Sequence, residues 1–336
     1  MKIVRHIAAN GGWLPIDRYM ELALYDPQEG YYSESIQNIG ARGDFSTSAT
    51  LSPLLARTLV AHWRKTCKRL GKNIPLIEIG GGNGDLANAI SRELGFWERI
   101  RTRYYIVDRS PTLRALQSLA VGNFARIHPT IEKALSKAGG TAFIFCNELA
   151  DAFPARRFVF QQGEWMELGL SVQDGAIVET PKPCASLPES TTLDLWRIEG
   201  QRVEVNEAYH IWLKQWIHNL QAWKAGTFVT IDYGDCVEEL YYRKPQGTLR
   251  GYRAHQLLTG NELFRHSGKC DITCDVNFTD LRRIADSCLD DGITAMSQRD
   301  YLLPQADKQN PADCYLVSEP GPGDHFHVII QERDPE

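Results

Sequence analysis

Short apolar runs alternate with amphipathic segments over about residues 53–158, and this alternation is the clearest pattern in the chain. The apolar runs predict strands over residues 74–79, 103–108, 124–128 and 141–146. The amphipathic segments predict helices over residues 53–70, 85–95, 111–120 and 130–138. Strands that alternate with helices in this order predict an α/β domain with a parallel, doubly wound sheet.

The alternation stops after Phe158, where polar turns separate short apolar runs. The turns Gln161–Glu164 and Gln173–Gly175 predict short strands on either side of them. A helix over about 206–224 then leads into a further core strand over 226–234. At the end of the chain, the apolar runs Cys314–Ser318 and Phe326–Ile330 predict a terminal antiparallel hairpin.

These patterns divide the chain into a core, an N-terminal cap and two insertions. The N-terminal part is amphipathic and helical, broken at Asp26-Pro27, and a polar loop follows over residues 33–50. The predicted segments are 1–52 (helical N-terminal cap and lid loop), 53–158 (cofactor-binding core), 159–205 (inserted β-rich lobe), 206–234 (return helix and core strand), 235–292 (second insertion, on the substrate side) and 293–336 (terminal hairpin of the core).

The turn after the first predicted strand is rich in glycine. It runs Glu78-Ile79-Gly80-Gly81-Gly82-Asn83-Gly84 and opens a helix, so its backbone is placed to approach a ligand closely. Asp108 ends the second strand, where a carboxylate can accept hydrogen bonds from ribose hydroxyls. The two signals together predict a nucleoside cofactor.

Two cofactor patterns fit this turn. Gly82-x-Gly84-x-x-Ala87 loosely fits the dinucleotide pattern G-x-G-x-x-G/A. The E-x-G-x-G-x-G spacing of Glu78, Gly80, Gly82 and Gly84 instead resembles motif I of S-adenosylmethionine (SAM) methyltransferases. The terminal hairpin favours the second pattern, because a class I methyltransferase sheet has one and most dehydrogenase folds lack it.

Composition and charge limit the kinds of binding partner that the chain can have. Of the 336 residues, 43% are apolar and 24% are charged, and the net charge of -5 argues against general nucleic-acid binding. The eight cysteines offer only one close pair, Cys270 and Cys274, so we expect reduced thiols and no metal site. Because the chain has no long apolar run and no signal-peptide core, we expect a cytoplasmic protein without membrane insertion.

Motifs along the chain resemble those of one family, in the same order. Besides the glycine turn they are Gly43-Asp44-Phe45, Asp108-Arg109-Ser110-Pro111, Asn147-Glu148-x-x-Asp151, Ile231-Asp232-Tyr233-Gly234, Thr248-Leu249-Arg250-x-Tyr252-x-x-His255 and Asp271-Ile272-Thr273. Over about residues 5–330 the chain resembles the MidA-like family of SAM-dependent methyltransferases, whose mitochondrial member assists respiratory complex I assembly by methylating an arginine. The resemblance implies a class I, Rossmann-like fold, with SAM as cofactor and S-adenosylhomocysteine as product.

The resemblance also implies roles for the residues that match these motifs. The implied cofactor-binding residues are Gly43, Asp44, Phe45, Glu78, Gly80, Gly82, Gly84, Asp108 and Asn147. The implied catalytic, acceptor-side residues are Glu148, Asp151 and His255. The Gly43–Phe45 loop would cover the cofactor, and Asn147 and Glu148 would lie beside the transferring methyl group.

The chemistry of the predicted reaction gives these residues specific tasks. Methyl transfer from SAM needs proximity, alignment and a dry site, because the sulfonium is already activated. A guanidinium acceptor needs carboxylates that grip the cation, orient one nitrogen and take up its proton. We hypothesise that Glu148 orients the acceptor and Asp151 assists, although Asp151 could instead cap the following segment. His255 is either a general base or a structural histidine, and Asp44 either contacts the cofactor or forms a turn.

Departures from the family pattern lie in the lid and substrate segments. Ala49-Thr50 stands where the family has Pro-Glu, and Asp275 and Asn277 stand where it has His and Asp. The predicted function is N-methylation of a protein substrate with an accessible arginine. An O- or N-methyltransferase of small-molecule acceptors, a SAM-binding assembly factor without turnover, and a homodimer stay open, whereas an NAD-linked oxidoreductase fits the motifs least.

Overall fold

The computed structural model describes residues 2–35, 52–207, 222–254, 256–286 and 293–335. Its chain forms two compact units. The first unit, called the sheet unit below, comprises Ile39–Leu149, Leu213–Tyr233 and Ala285–Glu336. The second, called the insertion unit, comprises Met1–Asn38, Ala150–Trp212 and Gly234–Ile284.

The described elements are numbered in chain order. The strands are β1 Leu14–Pro15, β2 Leu76–Ile79, β3 Tyr104–Val107, β4 Ala125–His128, β5 Thr141–Asn147, β6 Arg156–Gln161, β7 Glu164–Gln173, β8 Ala176–Pro183, β9 Arg202–Val205, β10 Ala225–Asp235, β11 Arg250–Arg253, β12 Gln256–Leu258, β13 Asp271–Thr273, β14 Val276–Asn277, β15 Ile293–Ser297 and β16 Phe326–Arg333. The helices are α1 Lys2–Ala9, α2 Ile16–Tyr25, α3 Leu54–Arg69, α4 Asp85–Glu93, α5 Phe96–Arg101, α6 Pro111–Val121, α7 Ile131–Ala138, α8 Thr191–Leu195, α9 Val237–Arg243, α10 Gly260–Arg265, α11 Phe278–Asp286, α12 Gln298–Leu302 and α13 Pro311–Leu316.

The sheet unit is built on one central sheet with the strand order β15-β16-β10-β5-β2-β3-β4. Neighbouring strands from β10 to β4 run parallel, whereas β16 runs antiparallel to both β10 and β15. Its hydrophobic core joins strand residues such as Phe143 and Val328 to helix residues such as Leu59 and Ile90. The predicted doubly wound sheet is therefore confirmed, and the carboxyl ends of its parallel strands meet at one edge.

The antiparallel strand at the end of the chain is also present, but its predicted hairpin partner is wrong. The run Cys314–Ser318 does not form a strand, because α13 begins at Pro311 and the Asn310 side chain caps it by accepting a hydrogen bond from the Ala312 N–H at 2.9 Å. This cap and the helix-starting proline outweigh the short apolar run, of which Tyr315 is 60% exposed. β16 instead pairs with β10 and β15.

The insertion unit contains two antiparallel sheets. The larger one has the order β1-β7-β6-β9, with β8 paired to β7. The smaller one has the order β12-β11-β13. Helices α1 and α2 contribute Ile7, Tyr19 and Leu24 to the core of this unit, together with Leu170 and Ile272 from the two sheets. The N-terminal helices thus belong to the same compact unit as the segments inserted into the sheet.

In the part of the chain that the structure describes, no helix is long and apolar enough to cross a bilayer. The middle of the helix predicted over 206–224 lies outside the described residues.

Candidate active site

The glycine turn after β2 has a left-handed backbone at several positions. Gly80, Gly82 and Gly84 have φ values of 69°, 52° and 92°. A Cβ atom on Gly80 would lie 2.7 Å from the Leu149 Cδ1 atom, so the backbone there is packed closely against its neighbour. A Cβ on Gly82 would meet nothing within 4 Å. The turn is thus tight at its start and open at Gly82, where a ligand can approach the backbone.

Asp108 follows β3 and is tied to the glycine turn through Gln117. The Asp108 carboxylate accepts hydrogen bonds from the Ser110 N–H at 2.9 Å and from Gln117 Nε2 at 2.8 Å. The same Gln117 Nε2 donates to the Gly82 carbonyl at 2.9 Å. Each Asp108 oxygen keeps a second lone pair, so ribose hydroxyls can still donate to it. Gln117 was not predicted, and its place on the inner face of a predicted helix gave no signal of this role.

Glu78 lies inside the sheet unit, beneath the turn. Its side chain is 3% exposed and accepts a hydrogen bond from the Tyr104 hydroxyl at 2.6 Å. Burial raises the pKa of Glu78 to about 7, and the nearby Asp108 charge raises it further, while the Tyr104 hydrogen bond opposes the shift. A Cβ on Gly81 would lie 3.5 Å from the Glu78 carboxyl carbon, so Glu78 supports the turn from below.

Asn147 and Glu148 lie at the carboxyl end of β5. Glu148 has φ = 50°, a left-handed conformation that is uncommon for a residue with a side chain, and its N–H donates to the Ile231 carbonyl at 2.9 Å. The Asn147 amide Nδ2 donates to Glu148 Oε1 at 3.2 Å. Asn147 Oδ1 is buried and has no hydrogen-bond partner among the described residues. A strained residue beside a buried polar atom that has no partner is typical of ligand sites at strand ends.

Asp232, near the end of β10, holds this strand end in place. It is fully buried, and its carboxylate accepts hydrogen bonds from the Leu149 N–H at 3.1 Å and the Tyr233 N–H at 2.8 Å. Asp232 was noted in the sequence motif but was not predicted as a site residue. The signal was available, because a carboxylate that ends an apolar strand needs a local partner when it is buried.

The insertion unit has its own acidic cluster. Asp151 is 7% exposed, and its Oδ2 accepts a hydrogen bond from the Thr273 hydroxyl at 2.9 Å. Asp271 is also buried and accepts a hydrogen bond from the Tyr32 hydroxyl at 2.7 Å. Burial raises the pKa of Tyr32 well above its usual value, and the charges of Asp271, Tyr25 and Asp151 add to the shift. Two buried carboxylates therefore lie within electrostatic range of one tyrosine.

The structure groups only some of the predicted site residues. Glu78, Gly80, Gly82, Gly84, Asp108, Asn147 and Glu148 all belong to the sheet unit, whereas Asp151 belongs to the insertion unit. Gly43, Asp44, Phe45 and His255 lie outside the described residues. The predicted lid contact and the predicted general base therefore stay predictions.

The sheet edge fits the predicted cofactor chemically. Open space above Gly82, the accepting oxygens of Asp108 and the unsatisfied Oδ1 of Asn147 lie at the carboxyl ends of adjacent strands β2, β3 and β5. Asp108 would hold the ribose hydroxyls of SAM, and Asn147 Oδ1 would accept a hydrogen bond from an N–H group of the cofactor. Fold and site together define a class I methyltransferase.

The family assignment follows from comparison with known proteins. Residues 54–292 match the model of a family of S-adenosyl-L-methionine-dependent methyltransferases, and the chain belongs to that family. A Burkholderia thailandensis protein solved with S-adenosyl-homocysteine bound is 28% identical, with a TM-score of 0.85 over 99% of this chain and 91% of that chain. A second structure of such a protein from the same organism gives a TM-score of 0.81 over 99% and 90%, also at 28% identity. The protein is a SAM-dependent methyltransferase, as the sequence predicted.

The names of curated relatives state a substrate class and a location for those proteins. The chain is 25% identical to the mitochondrial protein arginine methyltransferase NDUFAF7 of Xenopus tropicalis, over 83% of this chain and 69% of the relative. It is 26% identical to the Drosophila melanogaster homologue, over 82% and 67%. These relatives are named mitochondrial, so the prediction of a cytoplasmic location is wrong. A signal-peptide core bears only on secretion, so its presence or absence carries no information about organelles.

Proposed function

We propose that this methyltransferase transfers a methyl group to a side-chain nitrogen of arginine in a protein substrate. The observation that carries the proposal is Glu148, a carboxylate in a strained left-handed conformation at the carboxyl end of β5, beside Asn147. The names of the relatives support the same acceptor.

The proposed mechanism divides the work between cofactor and protein. SAM, when bound, supplies an electrophilic methyl group on a sulfonium. The Glu148 carboxylate accepts hydrogen bonds from the substrate guanidinium and turns one nitrogen towards the methyl group. The hydrogen bonds that the Asp232 carboxylate accepts from the Leu149 and Tyr233 N–H groups fix the strand end that presents Glu148. Asp108, Asn147 and the glycine turn hold and orient the cofactor.

Asp151 is proposed as an acceptor-side residue on the insertion unit. Its carboxylate is held by Thr273, and the neighbouring carboxylate of Asp271 is held by Tyr32. Acidic side chains that are buried and fixed in this way are suited to a cationic group, because the positive charge offsets the cost of burying two negative ones.

The departures at Asp275 and Asn277 do not favour a small-molecule acceptor. Asp275 is buried and forms ion pairs with Lys244 and Arg250, and Asn277 Nδ2 donates to the Thr192 hydroxyl at 2.8 Å. Asn277 Nδ2 also donates to Asp280 Oδ2 at 3.2 Å. Both residues thus serve internal contacts of the insertion unit.

The proposal is tested by methyl transfer from methyl-labelled SAM to a protein extract, with wild type and Glu148→Gln compared. We expect label in methylarginine of one discrete protein, and a fall of about 100-fold or more in rate for Glu148→Gln. The affinity for S-adenosylhomocysteine should change less than about threefold, because Glu148 contacts the acceptor and not the cofactor. Glu164→Gln, at an exposed position on β7, is the matched control.

Each other outcome contradicts a different part of the proposal. Full turnover by Glu148→Gln would remove Glu148 from the mechanism. Label that appears only in a small-molecule extract would show that the acceptor is a small molecule and not a protein arginine. Tight S-adenosylhomocysteine binding by the wild type with no label anywhere would favour an assembly factor without turnover.

A further inference from the structure

The largest cluster of exposed apolar side chains within a single described helix lies on α5. Phe96, Trp97 and Ile100 are 71%, 66% and 62% exposed, and no residue of this helix is buried. The Phe96 and Trp97 rings contact edge to face, with centroids 5.2 Å apart. Single exposed apolar residues need no explanation, but three large ones on one helical turn form a patch that indicates an interaction.

Basic side chains lie on the same helix and at the end of the helix before it. Arg92, Arg99 and Arg101 are exposed, and none of them forms an ion pair with an acid among the described residues. The Arg101 guanidinium lies over the Trp97 ring, 5.7 Å from its centroid. We call these six residues the aromatic–arginine patch. Its positive charge contrasts with the net charge of -5 of the whole chain.

The acids nearest in sequence to the patch, Glu98 and Glu93, each lie beside an arginine outside it. Glu98, on α5 itself, is paired with Arg64, whose Nε and Nη2 lie 2.8 and 2.7 Å from its two carboxylate oxygens. Glu98 also accepts a hydrogen bond from the Gly95 N–H at 2.8 Å. Glu93 lies 3.9 Å from Arg57. The Arg64–Glu98 pair also ties α5 to α3.

The patch lies at the end of the sheet opposite the candidate active site. α5 ends two residues before β3 begins, so it lies at the amino ends of the parallel strands, whereas the glycine turn follows the carboxyl end of β2. Anything bound to the patch would leave the carboxyl edge of the sheet unit uncovered.

We propose that the aromatic–arginine patch docks the protein on an anionic phospholipid surface. Aromatic and branched apolar side chains on one short turn can enter the boundary between headgroups and acyl chains, while arginines pair with lipid phosphates. Docking of this kind needs no spanning helix.

Two other occupants fit the patch less well. A second copy of the chain would bring the same arginines face to face, and like charges at a symmetric contact repel. An acidic protein would need an interface of about 800 Å² on each side, whereas the exposed apolar part of the patch is confined to one helix of six residues.

Co-sedimentation with lipid vesicles tests the proposal. We expect the wild type to bind vesicles that contain about one-third phosphatidylglycerol at least about tenfold more tightly than pure phosphatidylcholine vesicles, and added salt to weaken the binding. The double variant Phe96→Ser/Trp97→Ser and the double variant Arg99→Gln/Arg101→Gln should each lose about tenfold or more. Leu119→Ser, at a residue 83% exposed on α6, is the matched control and should bind like the wild type.

Methyl transfer in the absence of lipid should be the same in all these proteins, because the altered side chains are exposed and distant along the sheet from the candidate active site.

Equal vesicle binding by wild type and the Phe96/Trp97 variant would overturn the proposal. So would a wild-type dimer in size-exclusion chromatography that the same variant loses, since the occupant would then be a second copy. Patch-dependent binding of a poly-glutamate peptide without vesicle binding would assign the surface to an acidic protein instead.

Discussion

At the residue scale, burial decides what the carboxylates of the sheet unit do. Glu78 and Asp232 are both acids at strand ends, yet Glu78 accepts its hydrogen bond from a tyrosine hydroxyl and Asp232 from backbone N–H groups. At Glu78 burial outweighs the hydrogen bond from the Tyr104 hydroxyl, so its pKa rises to about 7. The glycine turn is therefore supported by a carboxyl group that titrates near neutral pH.

This pKa predicts how stability depends on pH in the absence of cofactor. Because the pKa of Glu78 is raised from 4.5 to about 7, the folded protein binds more protons than the unfolded chain between these pH values. The stability that the Glu78 side chain contributes is therefore fully present below about pH 4.5 and is lost as the pH rises through about 7. Glu78→Gln keeps an acceptor for Tyr104 and cannot ionise. We expect it to unfold at higher urea concentration than wild type at pH 8, by about 2 kcal/mol in free energy of unfolding, with no advantage near pH 4.5.

The measurement is urea unfolding of wild type and Glu78→Gln at several pH values. Glu164→Gln, which removes an exposed carboxylate, should follow the wild type throughout. Parallel pH curves for wild type and Glu78→Gln would mean that Glu78 does not titrate as its burial predicts.

At the element scale, folding and cofactor binding place different requirements on the glycine turn. Gly82 has a positive φ and open space where its Cβ would point, and Gly139, which ends α7, has φ = 72° and is open as well. Alanine at either position should cost about 1 kcal/mol of stability from backbone strain alone. Only Gly82→Ala should weaken S-adenosylhomocysteine binding, by about tenfold or more, because its methyl group would occupy the space above the turn.

Isothermal titration calorimetry and thermal unfolding of the two variants separate these effects. Equal affinities in Gly82→Ala and Gly139→Ala would show that the cofactor does not approach Gly82. A much larger stability loss at Gly82 than at Gly139 would show that the turn needs glycine for folding.

Local sequence patterns predicted these elements well where one signal dominated. The run before Glu78 and the glycines after it gave β2, the turn and α4, because strand, turn and helix each have a distinct pattern there. The run at Cys314 failed because a proline and an asparagine cap compete with it over a few residues. Gln117 and Tyr32 were missed because their partners Gly82 and Asp271 are distant in sequence, and spacing within one element carries no information about such contacts.

At the scale of the whole molecule, each compact unit has a hydrophobic core of its own. The core around Phe143 and Val328 lies in the sheet unit, and the core around Tyr19 and Leu170 lies in the insertion unit. The sequence predicted an N-terminal cap and two insertions as separate segments. It could not predict that they share a core, because this requires contacts such as Tyr19 with Phe264, whose rings lie 5.4 Å apart.

Because the proposed cofactor contacts in the described residues belong to the sheet unit, ligand binding should stabilise that unit directly. At about 100 times its dissociation constant, S-adenosylhomocysteine should add about 2.7 kcal/mol to the protection of slowly exchanging amides in β2, β3 and β5, measured by native-state hydrogen exchange. NAD at the same concentration should add nothing, since the turn matches the methyltransferase pattern. Asp108→Asn should reduce the gain, because its NH2 group would face one of the two donors, Gln117 Nε2 or the Ser110 N–H, from which the carboxylate now accepts. If Asp108→Asn leaves the gain in protection intact, the cofactor does not contact Asp108. If NAD gives an equal gain, the site binds a dinucleotide.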